Sequence, residues 1–106
     1  MFARNVSMRL KPNGITDFTR TLENEIIPLL RKQKGFQDEI AFGAPSGTEA
    51  VGISLWDTKE NAEAYDRASY PQVLKTLSKV VDGTPQVHIY EVSNSTFHKV
   101  AVPAAV

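Results

Sequence analysis

The sequence predicts an α+β domain of the ferredoxin-like type: βαββαβ, a four-stranded antiparallel sheet with both helical regions on one face. Three observations carry this. Apolar residues alternate in four short runs, which is strand periodicity. Between the first and second runs, and again between the third and fourth, they recur every three to four residues, which is helix periodicity. At 106 residues, with roughly a quarter of them Leu, Ile, Val and Phe, the chain holds one core and one domain.

The first strand runs from Phe2 to Leu10, with Phe2, Val6, Met8 and Leu10 in one phase and Ala3, Asn5, Ser7 and Arg9 in the other. Lys11-Pro12-Asn13-Gly14 closes it as a turn. Thr16 or Asp17 is then expected to cap a helix carrying Phe18, Leu22, Ile26, Leu29 and Leu30, because their side-chain oxygens suit a cap. Pro28 predicts a kink inside it, and Gly35 a stop. Phe36 to Gly43 and Glu49 to Trp56 read as a hairpin through Ala44-Pro45-Ser46-Gly47. Asp57 is expected to cap the second helical region, about 58–81, with Glu60 reaching back to it. Pro71 should split that region, with Ser69-Tyr70 leaving the helix, and Asp82-Gly83 should end it. Gln86 to Val92 is the fourth strand. Phe97 to Val102 is compatible with a short fifth, running into the apolar tail Ala101 to Val106. The expected organisation is therefore a domain over 1–96 and a C-terminal tail, 97–106, placed to act as a dimer arm.

The third strand carries a second message. Val51, Ile53 and Leu55 occupy one phase and Ala50, Gly52, Ser54 and Trp56 the other, with no charge in either. A one-sided antiparallel sheet alternates apolar with charged residues. Something must cover the second face, and a second copy of the chain, giving a homodimer, is the simplest cover.

Composition removes whole classes of chemistry. Lys and Arg number 12 and Asp and Glu 12, so the clustered positive charge of a nucleic-acid binder is absent. With no Cys and two His, no thiolate chemistry and no His₃ or Cys-type metal site is expected. No apolar run nears the ~20 residues of a membrane span, and the N-terminus lacks a signal-type apolar region; no membrane partner and a cytoplasmic location are expected. Ser54 lacks the Gly-x-Ser-x-Gly setting of a hydrolase nucleophile, and no glycine-rich phosphate loop is present.

What remains is a modest set of candidates. His88 is the best general-base candidate, since imidazole titrates near neutrality; Asp38, Glu39 and Glu91 could orient it only through tertiary contact, and a structural histidine is the competing reading. Trp56 offers either a stacking surface for a planar ligand or a core aromatic. Small residues at Ala3, Asn5, Ser7, Ala41, Gly43, Ala50, Gly52 and Ser54, opposed by Ala62, Ala64 and Ala68, predict a cavity bordered by Trp56, Tyr65 and Tyr90. The same face could instead pack on a partner sheet; strand register decides, and periodicity alone does not fix it. The expected binding set is Asn5, Ser54, Trp56, Tyr65 and Tyr90, with His88 and Asn5 as catalytic candidates.

Two stretches, Pro28-Leu29-Leu30-Arg31-Lys32-Gln33-Lys34-Gly35-Phe36 and Ile53-Ser54-Leu55-Trp56-Asp57-Thr58-Lys59-Glu60-Asn61-Ala62, carry a Gly-Phe opening the second strand and a Trp closing the third. With them the chain, from Phe2 to about Val92, resembles the antibiotic-biosynthesis-monooxygenase family of dimeric α+β barrels. The resemblance implies two sheets paired into a barrel and a pocket between sheet and helices in each subunit. It also implies one of three callings: cofactor-free monooxygenase on polycyclic phenols, haem-degrading enzyme, or protein without assigned activity. The haem-degrading branch uses a strand-one Asn, a strand-three Trp and a His on the second helix. Asn5 and Trp56 match, but residues 57–81 contain no His; Tyr70 is a residue type that can ligate haem iron. The resemblance thus implies a cofactor-independent monooxygenase-like enzyme acting on a small aromatic or quinone-like compound. Asn5, Trp56 and His88 would carry it, with a non-catalytic dimeric ligand-binding or stress-related module as the alternative.

Overall fold

Alternation sets the first element, β1 (Phe2–Leu10), where Arg4, Val6, Met8 and Leu10 are buried while Ser7 and Arg9 are exposed. The computed structural model describes residues 1–100. Around β1 the chain builds one antiparallel sheet in the order β2-β3-β1-β4, with β2 Phe36–Gly43, β3 Glu49–Trp56 and β4 Val81–Glu91. The expected ferredoxin-like arrangement and the hairpin boundaries are as the periodicity predicts.

The helices depart from expectation at their ends. The first, α1 (Ile15–Thr21), is capped by Gly14 without any side-chain cap bond, not by Thr16 or Asp17; the Phe18 N–H instead donates to the Gly14 carbonyl at 2.8 Å. A π-turn, Leu22–Ile26, follows and leads into α2, Ile27–Arg31. Pro28 supplies the reason: it has no N–H to give the carbonyl four residues back. The preceding turn widens, and the Ile27 N–H reaches the Leu22 carbonyl five residues away. Gly35 sits at φ +83°, and a Cβ there would meet Asp57 Oδ1 at 2.2 Å, so the turn into β2 accepts only glycine.

The second helical region splits before Pro71 as expected, into α3 (Lys59–Ala68) and α4 (Tyr70–Leu77), but only Ser69 leaves the helix: Tyr70, expected outside it, opens α4. Thr58 rather than Asp57 caps α3: its Oγ1 accepts the Asn61 N–H at 3.1 Å. Asp57 accepts instead from the Thr58 N–H and the Asn61 side-chain amide. Helix α4 stops at Leu77, and Asp82-Gly83 lie inside β4, which starts five residues before the expected Gln86. The apolar Val80-Val81 pair, both buried, runs from the helix end straight into the strand and hides the boundary. Residues 83–85 bulge between the Asp82–Arg9 and Gln86–Ser7 pairs, where a proline without an N–H is tolerated. After Glu91 the described residues form no fifth strand. His98 instead bonds through Nε2 to the Asp38 carboxylate. The rest of the expected tail, 101–106, lies outside the described residues.

Register divides the sheet into two faces. Toward the helices lie Val6, Met8, Ala50, Gly52, Ser54 and Trp56 together with Ala41 and Gly43, and the core of Phe18, Ile26, Leu30, Val73 and Leu77 packs on this side. Ala3, Asn5 and Ser7 take the opposite face, in register with Leu55, Ile53 and Val51. The expected continuous small-residue face is therefore two half-faces back to back. Among the described residues, no helix is long and apolar enough to cross a membrane.

Candidate functional site

Strand alternation places Arg4 in the buried phase of β1, between Phe2 and Val6. It is 1% exposed. One Nη2 donates to Asp66 Oδ1 of α3 at 2.6 Å, and the guanidinium carbon lies 4.9 Å from the Tyr65 ring centroid and 4.3 Å from that of Tyr70. A carboxylate and two π faces compensate the removal of this cation from water. They do not satisfy all of it: Arg4 Nε has no hydrogen-bond partner.

Two further buried polar atoms lack partners, the Tyr70 hydroxyl and Glu39 Oε1. These three are the buried side-chain polar atoms left without a partner among the described residues, and all three residues line one cavity between sheet and helices. Val6, Met8, Phe18, Leu22 and Val73 supply apolar wall. The cavity is small, about 50 Å³. An apolar hollow with a few converging polar groups is the usual form of a small-molecule site. A larger hollow of about 600 Å³ lies at the far end of the sheet. There Arg9 stands in register between Glu49 and Asp82, and no unpartnered buried atom marks it.

Burial also sets the protonation states. Desolvation raises the Glu39 carboxyl above the ordinary glutamate value. It pushes Tyr65 up to about 12, with Arg4 opposing, and raises Tyr70 in the same way. Both phenols are therefore neutral hydrogen-bond groups at physiological pH, and the cavity presents one cation, two phenols and one proton-seeking carboxyl. Among the described residues no group of three or more His, Cys, Asp and Glu stands close enough to hold a metal ion.

The sequence candidates separate. Ser54 and Tyr65 line the cavity. Trp56 is fully buried one layer behind: it stacks on Tyr65 at 4.9 Å and 29°, and its Nε1 donates to Ser54 Oγ at 2.9 Å. Asn5, His88 and Tyr90 fall on the opposite face, where Asn5 pairs in register with His88 and Ala3 with Tyr90. The sheet itself stands between them and the cavity, so His88 faces no buried ligand site. Arg4, Glu39 and Tyr70 line the cavity too, and the sequence reading did not place them there. The signal for Arg4 was present: a charge in the apolar phase of an otherwise regular strand.

No family model matches the chain, and no curated protein matches it. Solved structures do. A protein of unknown function from Nitrosomonas europaea superposes with a TM-score of 0.74 over 96% of this chain and 95% of its own, at 14% identity. A monooxygenase from the ActVA-Orf6 gene of Streptomyces coelicolor, solved with nanaomycin D, gives 0.74 over 97% and 92%, at 15% identity. A candidate antibiotic biosynthesis monooxygenase from Bordetella bronchiseptica gives 0.72 over 86% and 95%, at 17% identity. The fold is that of the antibiotic biosynthesis monooxygenases. At these identities it is the fold that is shared; folds of this kind host many functions, so the site must speak for itself. It does not fit haem. At about 50 Å³ the cavity is well below ordinary ligand pockets, ~300–1,000 Å³, and far too small for a four-pyrrole macrocycle. No His lines it, and burial keeps Tyr70 protonated.

Proposed function

We propose that this chain binds a small planar aromatic or quinone-like molecule in the cavity under α3 and α4 and acts on it as a cofactor-independent oxygenase. The observation that carries the reading is the convergence of Arg4 Nε, the Tyr70 hydroxyl and Glu39 Oε1, each buried without a partner, on one apolar cavity. Unpaired buried polar atoms cost ~1–3 kcal/mol each, and a ligand oxygen bonded to them removes that cost. Arg4 and Tyr70 donate to an oxygen that carries negative charge, the stabilisation an ionised phenol or enol needs. The apolar walls keep water away while the substrate anion meets dioxygen. One oxygen atom enters a carbon–hydrogen centre and the other leaves as water: CH₂ + O₂ → C=O + H₂O. The substrate provides all four electrons, so the reaction uses no external reductant.

Titration with 5-hydroxy-1,4-naphthoquinone, followed by quenching of the single tryptophan, tests the site. Wild type should saturate at one ligand per chain. Tyr70→Phe removes only an unpartnered hydroxyl, so it should keep full stability and weaken binding up to about tenfold. Unchanged affinity in Tyr70→Phe would remove the reading. Oxygen uptake with a phenolic substrate separates enzyme from binding module. The module reading is favoured by the position of His88, which leaves the cavity without an imidazole.

The same proposal includes assembly. Ile40, Phe42 and Tyr90 are 51%, 50% and 56% exposed on the face away from the helices, an apolar patch that a second copy would cover. The domain over 1–96 would supply this interface, and the 97–106 tail would extend it as an arm. Sedimentation equilibrium should give a dimer of the 11.7 kDa chain at micromolar concentration; a stable monomer would exclude it.

A further inference from the structure

The cavity has two polar ends. Glu39 of β2 is in register with Ser54 of β3, and Ser54 with Arg4 of β1, so carboxyl, hydroxyl and guanidinium form one row across the sheet on the helix side. Neighbouring strands lie ~4.8 Å apart, which separates the outer two backbones by roughly 10 Å. Ser54 Oγ, in the middle, already accepts the Trp56 indole N–H. The unpartnered atoms are at the ends: Arg4 Nε with the Tyr70 hydroxyl on one side, Glu39 Oε1 on the other. A single hydroxyl cannot serve both ends. A ring can.

The charges around the cavity differ from end to end. The titratable side chains lining it are Arg4, Glu39, Tyr65 and Tyr70. Asp66 is engaged by Arg4, and Asp38 with His98 lies in the groove on the other side of Glu39. Glu39 is thus the one carboxyl in the lining, which holds no Lys or His; on its outer side Glu39 also lines the groove that holds His98. The tyrosines are held neutral by burial, which disqualifies them as bases.

Resting on the ligand reading above, we propose that Glu39 is the base of this site and that its substrate is a conjugated acid. The substrate carries an acidic O–H or C–H at the Glu39 end, joined through its ring to an electron-accepting oxygen at the Arg4–Tyr70 end. The X–H bond breaks and its proton goes to Glu39 Oε1. The electron pair enters the ring π system and emerges as negative charge on the far oxygen, which receives the Arg4 N–H and the Tyr70 O–H. Net charge is conserved: one carboxylate disappears and one oxyanion forms. The transfer moves that charge from a half-buried carboxyl, one of whose oxygens has neither water contact nor partner, to an oxygen beside a cation. Desolvation of Glu39, which raises its affinity for a proton, drives the step in the same direction.

4-Nitrophenol is a fitting probe, because its hydroxyl and nitro oxygens sit at opposite ends of one conjugated ring and its anion is yellow. 3-Nitrophenol is the control, since its hydroxyl is not conjugated to the nitro group. Binding is measured by equilibrium dialysis and ionisation by absorbance, one pH unit below the free probe's own ionisation. Wild type should bind 4-nitrophenol as the yellow anion and 3-nitrophenol as the neutral phenol. Glu39→Gln, and Glu39→Ala as a second variant, should still bind 4-nitrophenol, up to about tenfold more weakly, yet leave it colourless. Three results would overturn the assignment: anion bound to both variants as in wild type, neutral 4-nitrophenol bound to wild type, or binding lost in both variants, which makes Glu39 a contact and not a base. Failure of wild type to bind either phenol would overturn the ligand reading itself, and the role of Glu39 with it.

Discussion

On the helix side of the sheet, Arg4, Glu39 and Tyr70 keep polar atoms buried without partners; on the other side, Ile40, Phe42 and Tyr90 hold about half their surface in solvent. The same four strands produce both faces. Each face departs from the ordinary sorting of residues, and in opposite senses: polar where it is dry, apolar where it is wet. Such departures are informative because exposed single apolar residues and buried paired polar ones are routine, whereas unpaired or patched ones are not. A dry face with orphaned donors calls for a small polar ligand. A wet apolar face calls for another large surface. On the function and assembly proposed above, the difference would separate chemistry from assembly onto opposite sides of a sheet only one residue thick.

The largest effect expected from breaking this separation is at Trp56, which serves the dry face as core. Trp56→Ala should cost ~3–5 kcal/mol of stability, read by chemical denaturation. The folded fraction should still bind the naphthoquinone, read by equilibrium dialysis because the variant has no tryptophan, since Tyr65 stands between indole and cavity. Early unfolding accompanied by lost binding in the folded fraction would put the indole in the site after all. Next comes the partner of Arg4. Asp66→Ala leaves a guanidinium that is 1% exposed without its carboxylate. Breaking a fully buried pair costs more, but Asp66 is about half exposed and partly screened, so ~1–3 kcal/mol is expected. No change in denaturation midpoint would mean that the two tyrosine rings suffice to hold the charge.

On the wet face, Phe42→Ser should weaken self-association about tenfold, as a lost contact of ~1.4 kcal/mol does, while naphthoquinone binding stays as in wild type. Sedimentation equilibrium reads the first and fluorescence the second. Coupled loss of both would erase the division between the faces. The smallest effect sharpens the dry face. Glu39 has a folded-state pKa above its unfolded value. Its share of stability is therefore complete below the unfolded carboxyl range and lost as pH rises through the folded value. Glu39→Gln should be as stable as wild type near pH 4 and more stable at pH 7.5. An identical pH–stability profile for the two proteins would show that the carboxyl is better solvated than its unpartnered oxygen implies.

The order of elements was fully legible, because it depends on period-two and period-3.6 patterns that survive in a single sequence. Helix ends were less so. Thr16, Asp17 and Asp57 all have capping side chains, yet Gly14 and Thr58 cap, since the position of the cap is chosen by where the packed turn begins. Val80-Val81 reads equally as the end of a helix or the start of a strand. The site was legible in part. Ser54 and Tyr65 line it, but grouping them with Asn5 and Tyr90 required a register, and one residue of slip exchanges the faces. Arg4 was visible as a charge in the wrong phase of β1. Tyr70 and Glu39 were not: one follows a helix break whose direction no pattern encodes, and the other lies on β2, where a register shift between Phe36 and Asp38 resets the alternation.

The π-turn at Leu22–Ile26 has an evolutionary corollary. Its two end residues both line the cavity, and a π-turn is an α-helix that has accommodated one additional residue. Deleting one codon there restores the tighter winding and rotates everything before it by about 100° relative to everything after it. Phe18 would swing out of the roof while Leu30 stayed in place. A lineage carrying this fold can thus reshape the ceiling of its pocket in a single genetic step, without touching the sheet that holds Arg4 and Glu39.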